Sequence, residues 1–143
     1  MNNDTRCLLN ECHAGARMAI DSIDEVQQKV TDEEFRKVLT KQRDKHNQLK
    51  LQMEKLLNQE QMEGKEPSAM ATAMSWLKTN WKLMMDPSNH TIAELMADGC
   101  NMGIKKVSEY KNQYQNASEE SISIATDWVE LEQQFVDELT KFL

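Results

Sequence analysis

The stretch EESISIATDWVELEQQFVDELTKF, running from Glu119 to Phe142, decides the fold class. Its apolar residues Ile122, Ala125, Trp128, Val129, Phe135, Leu139 and Phe142 recur with a helical period. That spacing gathers them on one face of a helix. Asn116, Ala117 and Ser118 precede it as a break, and Glu119 and Glu120 follow where a helix N-terminus is partially positive. Between Val129 and Phe135 the stripe passes over Glu132, a carboxylate on a face otherwise made for burial.

The same period runs through the rest of the chain. Leu8, Cys12, Gly15, Ala19, Ile23, Val26 and Val30 form one stripe, and Phe35, Val38, Leu39, Leu49, Met53 and Leu56 form another. The gap in the second, between Leu39 and Leu49, falls on Gln42 and His46. A third stripe, Ile92, Met96, Met102, Tyr110 and Tyr114, is interrupted by Gly99 and Gly103. Glycine in a helix interior costs about 1 kcal/mol against alanine, so two of them one turn apart predict a closely approaching neighbour. Breaks fall at Thr31, at Gly64 to Ser68, at Pro87 to Asn89 and at Asn116. Thr31 and Glu34 have capping-box spacing. Five helices are predicted, at about 4–29, 32–63, 68–85, 89–115 and 119–142. Strand signals are missing. The chain reads as all-α.

Composition agrees. The 143 residues include 4 Gly and 2 Pro, too few for a fold of many tight turns. One domain spanning 1–143 is expected, long enough to bury its own core. The formal charge of −7 argues against nucleic acid as a partner, and no apolar run suffices to span a membrane. With no secretory leader pattern at the N-terminus and an odd 3 cysteines lacking a C-x-x-C pair, a cytoplasmic location is expected. The 10 methionines are scattered at core positions and read as packing groups.

Connection lengths constrain the topology. Short links at Thr31 and Asn116 predict two antiparallel hairpins. Between them lies Gly64 to Ser88, long enough to cross the bundle and carrying its own amphipathic pattern in Met70, Met74, Trp76, Leu77, Trp81, Met84 and Met85. Two hairpins joined by one long crossover is the connectivity of the ferritin-like bundle.

The polar residues on the stripes extend that resemblance. Metal-binding ferritin-like proteins use one Glu from each of two helices and a Glu-x-x-His from each of the other two. By that resemblance Glu11 and Asp98 stand as the lone carboxylates, His46 as an imidazole and Glu132 as the first member of a pair. Arg43 replaces the Glu three before His46, and Phe135 replaces the expected His. Within the superfamily the chain is similar to a bacterial set of bundle proteins of unassigned activity, the DUF2383-like group. Cys12-His13-Ala14-Gly15, Met74-Ser75-Trp76-Leu77 and Asp98-Gly99-Cys100 with Tyr110 carry this likeness.

Two functional expectations follow. The leading one is a non-enzymatic bundle with a degenerate metal site, acting through its surface as a homodimer or with another protein and holding no cofactor. Here Glu11, Arg43, His46, Asp98 and Glu132 form a polar core cluster with the guanidinium in place of a metal, since Arg has no lone pair for a cation. The alternative is a metal-binding protein that holds iron or manganese through Glu11, His46, Asp98 and Glu132. Of the other histidines, His13 and His90 are expected at the surface.

Overall fold

The computed structural model describes residues 1–59 and 88–143. They form four helices, α1 (Asn3–Gln27), α2 (Glu33–Gln59), α3 (Asn89–Gln113) and α4 (Glu119–Leu139), the last running into a 3-10 turn at Thr140–Phe142. The predicted crossover helix at 68–85, with its methionines and tryptophans, lies outside the described residues.

Side-chain oxygens start the helices by accepting from backbone N–H groups that have no partner within the helix. Asn2 Oδ1 accepts from Thr5 N at 2.8 Å, Ser88 Oγ from Thr91 N at 3.1 Å and Ser118 Oγ from Ser121 N at 3.2 Å. For α2 the acceptor is Asp32 Oδ1, 2.9 Å from Phe35 N, rather than Thr31 as its spacing predicts. Thr31 instead pairs reciprocally with Asn89: its N–H donates to Asn89 Oδ1 and its hydroxyl accepts from Asn89 Nδ2, both at 3.0 Å. A capping box at Thr31 would forgo this tie between the first hairpin's turn and the start of α3.

That tie and a matching one at the far end set the topology. Asn2 Nδ2 donates to the Asn116 carbonyl at 2.7 Å, and Asn116 N donates to Asp4 Oδ2 at 3.0 Å. The start of α1 thus lies beside the end of α3, and the end of α1 beside the start of α3. These two helices are antiparallel. On the other side Lys45 reaches Gln134 and Gln42 reaches Glu138, so α2 and α4 are antiparallel too. Hairpins α1–α2 and α3–α4 therefore pack with α2 and α3 running the same way. Residues 59 and 88 stand at opposite ends of the bundle, as a crossover connection requires.

The core divides into two apolar clusters. One holds Ile23, Val30, Phe35, Leu39, Ile92 and Leu139, with Phe35 and Phe142 stacked at 4.5 Å between ring centroids. The other holds Leu8, Cys12, Met53, Val107, Ile124 and Trp128. His46 and Glu132, the polar interruptions of their stripes, fall between the two. On α4 the buried face is rotated slightly from the predicted one: Ile124 and Leu131 are buried, while Ile122 and Val129 are half-buried. Met18, Met53 and Met96 are buried, in keeping with a packing role.

Candidate functional site

Helix α2 brings Gln42 and His46 to the interior one turn apart, and α4 brings Trp128, Glu132 and Phe135 to face them. His46 is fully buried and Glu132 is 3% exposed. The imidazole sits edge-on to two rings, 5.2 Å from Trp128 and 5.7 Å from Phe135 between centroids. These walls hold the ring in place and exclude water.

Both ring nitrogens face oxygen. Nδ1 lies 2.6 Å from the Gln42 carbonyl oxygen, and Nε2 meets Glu132 Oε1. A carbonyl can only accept, so Nδ1 carries hydrogen. A second proton must then lie between Nε2 and the carboxyl, whichever atom holds it. The pair is therefore neutral as a unit, which is how two ionisable groups tolerate complete burial.

Groups around the pair extend it. The Cys100 thiol is buried beside Glu132, and burial first, with the neighbouring carboxylate second, pushes its pKa well above the ordinary thiol range. Gly103 on α3 approaches the same carboxylate: a Cβ there would lie 3.6 Å from Glu132 Oε2, an ordinary contact distance. On the other side Gln42 Nε2 donates to Glu138 Oε2 at 3.0 Å, while Gln42 Oε1 is buried without a partner. Trp128 Nε1 is likewise buried and unpartnered.

The remaining members of the expected cluster are placed elsewhere. Arg43 lies on the flank of α2, paired with Asp24 of α1 through Nε at 2.5 Å and through a second nitrogen at 3.1 Å. Its side chain is 38% exposed and meets none of Glu11, Asp98 or Glu132. Asp98 is exposed on α3. Glu11 is half-buried beside Tyr110, with Oε2 unpartnered; burial raises its pKa and the Tyr110 hydroxyl opposes the rise. The guanidinium-centred cluster is thus not assembled, and His46 and Glu132 alone of the five meet. Helical phase explains the difference. Arg43 is one residue beyond Gln42 and turns about 100° away from the core face.

Among the described residues no three His, Cys, Asp or Glu side chains converge to hold a metal ion. His13, expected at the surface, is instead half-buried and meets Glu54 of α2 at 2.9 Å, in a contact that lowers the Glu54 pKa. His90 is exposed and bridges to Glu94 at 2.5 Å. The features that sequence reasoning missed are the Cys100 thiol at Glu132 and the unpartnered Trp128 indole. Trp128 was visible on its stripe, but the fate of its N–H depends on which neighbours surround it.

No helix among the described residues is long and apolar enough to cross a membrane. The described residues form an all-α four-helix bundle of two hairpins, and comparison of the chain with protein-family models, curated proteins and solved structures finds no match.

Proposed function

We propose that this chain is a non-catalytic bundle of the ferritin-like kind, degenerate at its metal position, that acts as a structural or protein-interaction module. The observation that carries the reading is the commitment of His46. One ring nitrogen is taken by the Gln42 carbonyl and the other by Glu132. A metal at this level would have to displace a proton from a pair already satisfied, and neither Asp98 nor Glu11 stands beside it to compensate the charge. The ion pair between Arg43 and Asp24 belongs to the surface and has no part in this reading.

The module would work through association, as a homodimer or with another protein. Metal analysis of protein purified without chelator, joined to thermal unfolding with and without added Fe(II) or Mn(II), tests it. Sub-stoichiometric metal and an unchanged midpoint are expected. Near-stoichiometric metal with a raised midpoint would overturn the proposal and favour a metal-binding bundle. Sedimentation velocity across a concentration series checks the self-association arm, for which a concentration-dependent dimer is expected.

A further inference from the structure

Helices α2 and α3 stand at opposite corners of the bundle, each packed on α1 and on α4. Residues 60–87 must run from the end of α2 to the start of α3, so this stretch passes over α1 or over α4. The span is within reach: α3 is about 37 Å long, and 68–85 as a helix would cover about 27 Å of it, with 60–67 left to make the turn. The two routes differ in polarity. Helix α4 turns Glu120, Asp127, Glu130 and Asp137 to solvent, and the depression between α2 and α4 is largely polar and bridged by Lys45 and Gln134. Between α1 and α3 lies instead a cavity of about 40 Å³ walled by Met18, Ala19, Leu95 and Met102. Ala19, Leu95 and Met102 are only half-buried, so the cavity continues into a groove on the α1/α3 face. Two polar groups of its lining already have partners: the Ser22 hydroxyl donates to the Met18 carbonyl at 2.8 Å, and Lys106 reaches Glu109 at 3.5 Å.

Pattern and charge in 68–85 match this groove. Met70, Met74, Leu77, Trp81 and Met84 recur at intervals of three and four, the spacing of one helix face. A helix there that leads into α3 through the break at Pro87 runs antiparallel to α3. A short turn then sets Trp81 level with Leu95, Leu77 with Gly99 and Met74 with Met102, large side chains against a wall that carries a glycine. Helix α1 is also antiparallel to α3, its register fixed by the Thr31–Asn89 and Asp4–Asn116 hydrogen bonds. Asp21 and Glu25 follow Met18 by one and two turns, and Asp98 follows Leu95 by one, so these exposed carboxylates border the groove. They stand at the level of Lys78 and Lys82, the neighbours in sequence of Leu77 and Trp81. An apolar stripe flanked by cations thus answers an apolar groove bordered by anions.

The geometry points to the chain's own residues 68–85 as the occupant of the α1/α3 groove, with Met74, Leu77 and Trp81 against its walls and Lys78 and Lys82 toward its carboxylate border. The inference does not depend on the module reading; it assigns the apolar face to this chain, so that association draws on other surfaces. The test attaches a nitroxide to Glu94→Cys on α3 or to Glu130→Cys on α4, both exposed positions, in a Cys7→Ser background where the other two thiols are buried. The ¹⁵N indole signals of Trp76 and Trp81, assigned by loss in Trp76→Phe and Trp81→Phe, are compared before and after the nitroxide is reduced. The Glu94 label should remove most of the Trp81 signal and weaken that of Trp76, and the Glu130 label should leave both. Leu95→Glu, which sets a carboxylate under Trp81, should restore the signals. Lys78→Glu with Lys82→Glu, which reverses charge outside the four-helix core, should restore them in part and serves if Leu95→Glu fails to fold. Broadening by the Glu130 label would overturn the assignment in favour of a path over α4. Broadening by neither label would also overturn it, as would broadening that survives both sets of substitutions. A mixture of isotope-labelled protein without nitroxide and nitroxide-bearing protein without isotope should show no effect; broadening there would give the groove to a second copy.

Discussion

The imidazole of His46 on α2 and the carboxyl of Glu132 on α4 meet in the interior with one proton between them, joining the two hairpins between two apolar clusters. Each group is tolerated there because the other is present. Replacing one alone leaves a buried polar atom unpaired, which costs about 3–5 kcal/mol for a broken buried ion pair. Replacing both by apolar residues removes the liability. His46→Leu and Glu132→Leu are therefore each expected to lower the urea midpoint markedly. The double variant should lose well under the sum of the two single losses. Urea unfolding of the four proteins gives the coupling directly, and additive losses would mean that the pair is not coupled.

Arg43 is expected to matter little. Its pairing with Asp24 has good geometry, yet the side chain is 38% exposed and solvent screens the interaction. Arg43→Ala should cost less than about 1 kcal/mol, and Asp24→Ala a similar amount. A loss of several kcal/mol in urea unfolding would instead indicate a buried role, as the ferritin-like alignment of the sequence suggests for this position.

The contrast between Arg43 and Glu132 shows where the sequence is legible. The four described helices and their hairpin pairing follow from apolar period and from Pro, Gly and Ser punctuation, which are local properties. Glu132 and His46 are found because each sits in the middle of a stripe, flanked on both sides by core residues. Arg43, Asp98 and Glu11 lie at stripe edges, where a rotation of one residue decides between core and solvent. Alignment to a ligand pattern carried them inward; helical phase turned Arg43 and Asp98 outward. Thr31 fails for a related reason, since its partner Asn89 is 58 residues away and local capping chemistry contains no trace of it.

Glu11 should make stability fall between acid and neutral pH. Burial raises its folded-state pKa above the usual 4.5, against the opposing influence of Tyr110. An acid whose folded pKa is raised binds its proton more tightly in the folded state, so the fold is favoured below the unfolded pKa. That advantage is lost as pH rises from about 4.5 through the raised value. Glu11→Gln is thus expected to raise the unfolding midpoint at pH 7, with a gain that shrinks as pH falls through the raised value and is gone below about 4.5. Thermal unfolding of both proteins from pH 4 to pH 8 measures the difference. A pH-independent gain would assign the effect to packing and not to ionisation.

The three thiols should label in a fixed order. Cys7 is half-buried near the start of α1, whereas Cys12 and Cys100 are buried. Burial pushes the Cys12 thiol up to about 12, with Glu11 adding to the rise and Lys111 opposing it; Cys100 is pushed up by burial beside Glu132. Thiolate is the reacting species, so raised pKa and burial act in the same direction against reaction at these two positions. With a disulfide reagent at pH 8, Cys7 is expected to react first. Cys12 and Cys100 should follow only as the bundle opens, and at rates that rise with urea as global unfolding does. Single-cysteine variants separate the three reactions. Fast labelling of Cys100 in the absence of urea would instead mean that α3 moves away from Glu132 without unfolding, opening the α1/α3 cavity to reagent.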